Sequence, residues 1–216
     1  MKKMIYSAIL CLALNSVFIN VTAQDIVLPN PLKTGGKPLM QALSERKTTR
    51  DFTEDKLTDQ QLSNLLWAAC GINRSDKRRT APSALNYQEI DLYVALPQGL
   101  YVYQAESHTL KFIHNRDIRK YTGSQGFVSG AALNIVYVAD LAKLRIKEGE
   151  GFEDSELFMS YSNTAFIGQN VYLFCASENL GCVIRGSIPK DRLATEMGLR
   201  SNQTITLAQT IGVPEE

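Results

Sequence analysis

Residues 157–179, LFMSYSNTAFIGQNVYLFCASEN, have a helix's length and composition, with apolar side chains on every side of the helical projection. A helix that is apolar all round is stable only when covered all round, so this segment must be the buried centre of something larger. It is closed by Gly181. Gln169 and Asn170 interrupt the run and need partners, because an unpaired buried amide costs about 1–3 kcal/mol.

What packs around it can be read from the flanking runs. EIDLYVAL, GLYVYQ and HTLKFIH are short and β-rich, separated by Pro97-Gln98-Gly99 and Ala105-Glu106-Ser107. They predict an antiparallel meander. LNIVYVAD is continuously apolar, as expected of a central strand, and TITLAQTIGV is a final strand. Helices are predicted over Leu39–Glu45, after Thr58, and after CVIRG with Pro189 near the first turn. Thr58 and Gln61 fit a capping box, Leu62, Leu65, Leu66 and Ala69 follow helical spacing, and Gly71 suits a left-handed stop. DIVLPNPLKTGGKP reads as an extended arm, and Gly149 to Asp154 as a loop. A meander flanked by helices, with no repeats, predicts an α+β fold around one mainly antiparallel sheet.

The first residues read as an address. Lys2 and Lys3 precede an apolar stretch to Val21, and Val21-Thr22-Ala23 suits signal peptidase. Residues 1–23 are expected to be a cleaved signal peptide and 24–216 a single exported, periplasmic domain with no stable membrane span. An uncleaved anchor is the alternative for the leader, and a cytoplasmic location follows if it is no signal. Formal net charge is +1, so bulk polarity does not point to nucleic acid or an anionic membrane. Cys11 leaves with the leader. Cys70, Cys175 and Cys182 are an odd set best suited to packing, with a Cys175–Cys182 bridge left open. No pair has metal-ligand spacing, and His108 and His114 are the only histidines, so no metal site is expected.

Three short motifs could carry chemistry. RKTTR, Arg46 to Arg50, gathers three cations and two hydroxyls at a helix end, a set suited to an anion such as phosphate. In RTAPSALNYQ, Pro82 and Ser83 fix the backbone and Asn86 can donate and accept at once, suiting a flat polar ring. In VIRG, Gly186 stands where backbone comes close to something. Each alone also fits a solvated helix end, a turn or a strand exit. The basic run from Arg74 to Arg79 reads as a solvated loop.

Together these blocks resemble the FMN-dependent nitroreductase family across nearly the whole chain after the leader, through SERKTTRDF, LLWAACGINR, RRTAPSALNYQEIDLYV, GLYVY, IGQNVYLFCASENLGCVIRG and AQTIGVP. The likeness is to the short branch that includes azoline dehydrogenases. It implies an intertwined homodimer with FMN at the subunit interface. By the resemblance, Arg46, Lys47 and Thr48 bind phosphate and ribityl groups, and Arg50 stands near the flavin pyrimidine or phosphate. Pro82, Ser83, Ala84 and Asn86 reach FMN from the partner subunit, with Gln88 supporting the loop. Val183 and Ile184 line the ring, and backbone near Arg185 and Gly186 approaches flavin N5. Many relatives carry a further basic pair near the C-terminus, whereas this sequence closes on GVPEE, leaving the phosphate to Arg46, Lys47 and one of Arg78 or Arg79.

The resemblance implies a ping-pong reaction in which NADH or NADPH reduces the flavin and a nitroaromatic, quinone or similar small acceptor reoxidises it. No protein acid or base is required, and Arg50 is the candidate for electrostatic support of reduced flavin. Export would separate the protein from cytoplasmic nicotinamides. Two alternatives are therefore kept: a flavin-dependent dehydrogenase or dehalogenase that does not use NAD(P)H, and a non-catalytic flavin-binding protein. Phe127 and Tyr161 are candidates for bulk above the ring, though both also read as core.

Overall fold

The computed structural model describes residues 24–144 and 154–215. The expected leader, Cys11 and residues 149–153 of the expected loop lie outside the described residues. Eleven principal elements follow one another as β1 (Ile26–Val27), α1 (Leu39–Glu45), α2 (Asp59–Cys70), β2 (Ile90–Leu96), β3 (Gly99–Gln104), β4 (Thr109–His114), β5 (Leu133–Asp140), α3 (Asp154–Ser177), β6 (Gly181–Arg185), α4 (Lys190–Met197) and β7 (Gln203–Gly212). The strands form one sheet in the order β1-β4-β3-β2-β5-β7-β6, with every neighbouring pair antiparallel. This is an α+β fold, and the predicted meander is β2-β3-β4.

Both faces of the sheet are covered, which is why β5 is largely apolar and buried throughout, with Asn134 and Asp140 its polar members. On one face α2 and α3 supply Leu65, Leu66, Ile167 and Val171 against Leu92, Ile135 and Tyr137. On the other, Leu193 and Met197 of α4 pack on Val136, Val138 and Ile205. The capping box forms as read: Thr58 accepts from Gln61 N, and the Gln61 side chain reaches back to Thr58 N. Two expectations change. Gly71 ends α2 in an extended conformation, with φ −75° and ψ 162°, and is not left-handed. A Cβ there would lie 2.3 Å from Trp67 Cδ1, so packing under the tryptophan explains the glycine. The N-terminal arm is also not wholly irregular, since Ile26 and Val27 pair with β4. Cys70, Cys175 and Cys182 are buried and free.

The α3 helix departs from the expectation of all-round burial. Ser160, Asn163, Thr164, Ile167, Gly168, Val171 and Cys175 make one buried stripe with helical spacing. On the opposite side Phe158 is 74% and Phe166 48% exposed. Asn170 finds its partner in Ala68 O at 3.1 Å, and Gln169 is in solvent. One chain covers only one face of the helix. Among the described residues, no helix is long and apolar enough to cross a membrane.

Candidate functional site

Strand β6 lies at the edge of the sheet, so one row of its backbone groups faces away from β7. The segment after α1 runs along that row. Arg46 caps α1 through its amide on Ala42 O at 2.9 Å, and Thr49 N then donates to Cys182 O at 3.0 Å. Further on, Thr53 N bonds Val213 O at 2.9 Å. The next outward amide, Ile184 N–H, donates to the Tyr172 hydroxyl at 3.0 Å. That hydroxyl is 3.2 Å from Thr48 Oγ1, and the Arg46 guanidinium stands 5.4 Å from the Tyr172 ring centroid. Tyr172, on α3, thus gathers the RKTTR and VIRG motifs into one place.

The cations at this edge are not ion-paired among the described residues, although Glu45, bonded to Lys37, lines the cavity beside them. Arg46, Lys47 and Arg50 form no ion pair among the described residues. Lys47 and Thr49 line a cavity of about 340 Å³ together with Tyr172, Cys175 and Asn179. Alternation along an edge strand makes Gly186 N–H the next outward amide, and no side chain or loop group fills it among the described residues. A Cβ on Gly186 would meet only Leu207 Cδ2, at an ordinary 3.7 Å. The protein's own packing does not demand glycine there. Val183 and Arg185 alternate inward and are 3% and 6% exposed. Val183 and Arg185 therefore present backbone, not side chain, at this edge.

The PSALN loop is elsewhere. Ala84 N donates to Asn163 Oδ1 at 3.1 Å, and Asn163 Nδ2 donates to Glu89 Oε1 at 2.8 Å. Ser83 Oγ accepts from Gln88 N at 2.9 Å and donates to Glu89 Oε2 at 3.3 Å. Glu89 is fully buried, and hydrogen bonds from neutral groups hold it. Leu85, Asn86 and Gln88 all have positive φ, at 50°, 55° and 51°. Three non-glycine residues in the left-handed region within four positions store strain, and such strain concentrates at ligand clamps. Gln88 supports the loop as expected: its Nε2 donates to Asn86 Oδ1 at 3.0 Å, and its Oε1 accepts from Arg79 Nε at 2.8 Å. Leu85, at the tip, is 79% exposed. A pocket of about 380 Å³ lies beside the loop, lined by Arg74, Arg78, Arg79, Asn86, Glu89 and Asn163 among others. The basic run is therefore a pocket rim as well as a solvated loop.

Asn163 and Tyr172 are nine positions apart on α3. At about 1.5 Å and 100° per residue they are separated by roughly 13 Å along the axis and half a turn around it. The RKTTR–VIRG edge and the PSALN loop thus occupy opposite faces and different levels of one helix. Within one chain Arg78 and Arg79 go with the loop and not with Arg46.

Sequence reasoning missed Tyr172, Asn163 and Glu89. The first two lie in a run that reads as core, and Glu89 reads as a polar strand start; nothing local marks them. Of the two aromatic candidates, Phe127 packs on Phe52 with centroids 6.0 Å apart, and Tyr161 accepts from Lys190 Nζ at 2.7 Å.

Comparisons with known proteins agree on one family. The profile described as the nitroreductase family matches residues 43–213. A crystallised protein of Ralstonia eutropha JMP134, assigned as a nitroreductase, is 40% identical with a TM-score of 0.83, over 92% of this chain and 93% of that one. A protein of Methanocaldococcus jannaschii with the same assignment is 26% identical over 160 residues, 69% of this chain and 78% of its own length. The NADPH:FMN oxidoreductase of Vibrio harveyi, solved with NAD+, shares the fold, with a TM-score of 0.62 at 17% identity over 82% of this chain and 69% of that one.

Proposed function

The chain belongs to the nitroreductase family, a family of flavin-type oxidoreductases, and from that premise we propose that it holds FMN at the β6 edge and transfers electrons from NADH or NADPH to a nitroaromatic, quinone or similar small acceptor. The observation that carries this reading is the set of groups drawn together by Tyr172, namely Thr48, the Ile184 amide and Arg46, with Lys47 and Arg50 close by in sequence and none of the three cations paired with an acid among the described residues. The set fits FMN. Arg46, Lys47 and Arg50 suit a phosphate dianion, and Gly186 N–H suits a ring acceptor. When bound, the flavin supplies the electron transfer itself.

The protein's part is to bind, orient and exclude water. Tyr172 fixes the strand edge against which the ring would lie. Arg50, exposed and without an acid partner, offers positive charge without moving a proton.

The proposal includes a homodimer. The two halves of the expected site lie on opposite sides of α3, so within one chain they do not converge. A second copy laid on the exposed Phe158–Phe166 face would bring its strained PSALN loop, with Leu85 at the tip, toward the first copy's β6 edge. We further propose that residues 1–23 direct export to the periplasm. That leader favours a second reading, in which a donor other than a nicotinamide supplies the electrons.

The deciding experiment purifies residues 24–216 after FMN addition and gel filtration, then adds NADH or NADPH without oxygen. A retained flavin spectrum bleached by either nucleotide is expected. Retained but unbleached flavin would favour the second reading, and no retained flavin would overturn the site.

A further inference from the structure

Arg185 is a buried cation without an anion among the described residues. It is 6% exposed. Register puts it on the sheet face shared with Thr210, Ala208 and Asn134, away from α3. Its Nε donates to Thr210 Oγ1 at 3.1 Å, Nη1 to Thr122 O at 2.7 Å, and Nη2 to Asn134 Oδ1 at 3.0 Å and Thr122 Oγ1 at 3.4 Å. Every one of these acceptors is neutral. Asn134 cannot turn its amide around cheaply, because its Nδ2 donates to Val128 O at 2.7 Å. Gly123 makes room for the guanidinium: a Cβ there would lie 2.0 Å from Nη1. Beside it, Gln125 Oε1 is buried with no partner among the described residues.

Isolated buried charge is among the costliest features a fold can carry, and a well-packed apolar side chain at such a site is often neutral or stabilising. Partly buried Arg119 and Asp140 are ion-paired, with Asp117 and Arg200, whereas the fully buried Glu89 is, like Arg185, held by neutral groups. Burial lowers the pKa of Arg185 to about 10, so it keeps its proton at neutral pH. The retained charge sits one side-chain length behind the outward amides of Ile184 and Gly186, at the edge assigned above to the flavin.

We propose that Arg185 is a fixed internal positive charge that favours the reduced, negatively charged form of the bound flavin and so raises its midpoint potential. It acts through space from behind the strand, and four neutral oxygens hold it in place without cancelling it. The inference rests on the FMN reading above. Reduction at neutral pH adds negative charge to the ring, and a charge inside the protein is screened far less than one on its surface.

Asn134→Asp is the sharpest test, because it neutralises the cation with an isosteric group already in contact. The FMN-loaded protein is titrated against a redox dye, and FMN affinity is measured by fluorescence. The ratio of reduced to oxidised flavin affinity is expected to fall at least tenfold, about 30 mV for a two-electron couple. Arg185→Met removes the charge by a different route and should move the ratio the same way, while Arg185→Lys keeps the charge and should stay near wild type. An unchanged ratio in FMN-bearing Asn134→Asp overturns the inference and leaves the FMN site standing, even if Arg185→Met shifts through structural damage. A wild-type protein that binds no FMN overturns the reading beneath it instead.

Discussion

The hydroxyl of Tyr172 accepts the edge amide of Ile184 at 3.0 Å and touches Thr48 Oγ1 at 3.2 Å, so one helix side chain joins two segments more than a hundred residues apart in sequence. Removing that oxygen should loosen the edge without emptying the core. Tyr172→Phe is expected to cost about 1 kcal/mol of stability and to weaken FMN binding by up to about tenfold, read by chemical denaturation and fluorescence titration. Unaltered FMN affinity would separate Tyr172 from the site.

Arg46 stacks on the same tyrosine and pairs with no acid among the described residues. Charge reversal at this point removes a phosphate partner and adds repulsion. Arg46→Glu should lower FMN affinity by at least about tenfold while leaving the melting temperature of the apoprotein nearly unchanged. Undiminished FMN content after gel filtration would sink the assignment.

Asn163 carries the PSALN loop, holding both Ala84 N and the buried Glu89. Asn163→Leu would leave an amide without its acceptor and a carboxylate with a single side-chain donor, Ser83. The expected loss is on the order of 3 kcal/mol in urea denaturation. Reductase activity should fall further than stability explains, because the loop then no longer holds its left-handed residues.

Phe158 and Phe166 are exposed in the single chain, so changing them should leave the fold intact. Paired substitution to glutamate is expected to convert a dimer to monomer in sedimentation, with release of FMN. A wild-type protein that sediments as a monomer while retaining FMN would show that the two-chain site is wrong.

His108 links the N-terminal arm to the body: Nε2 is 2.8 Å from Ser63 Oγ, which donates to Pro29 O at 2.6 Å, and Nδ1 is 2.9 Å from the Tyr103 hydroxyl. A neutral ring satisfies the chain, with Tyr103 donating to Nδ1 and Nε2 donating to Ser63. Burial lowers the pKa of His108 below its ordinary 6.5. The unfolded chain therefore takes up the proton first as pH falls. The contribution to stability is complete above about pH 6.5 and is lost as pH drops through the folded value. His108→Gln should flatten the dependence of urea stability on pH below the ordinary histidine range.

Much of this architecture can be read from the chain. The capping box at Thr58, the meander of β2-β3-β4 and the buried β5 are all signalled by spacing between near neighbours, because their physics is local: a cap bonds three residues ahead, and a strand alternates by two. The RKTTR, PSALN and VIRG motifs can be read for the same reason, since each gathers its donors within a few residues. The sequence also carries the all-round apolarity of α3, although this chain by itself covers only one side of the helix.

The tertiary structure alone decided how the motifs are distributed in space. Nothing in the sequence tells that Tyr172 and Asn163, nine residues apart in an apolar run, face opposite ways and hold different halves of the candidate site. Nor does it reveal that Arg185 turns inward to meet Asn134 and Thr210, residues 51 and 25 positions away. Those relations depend on strand order and register, which are set by packing across the whole sheet, and no window of neighbouring residues contains them.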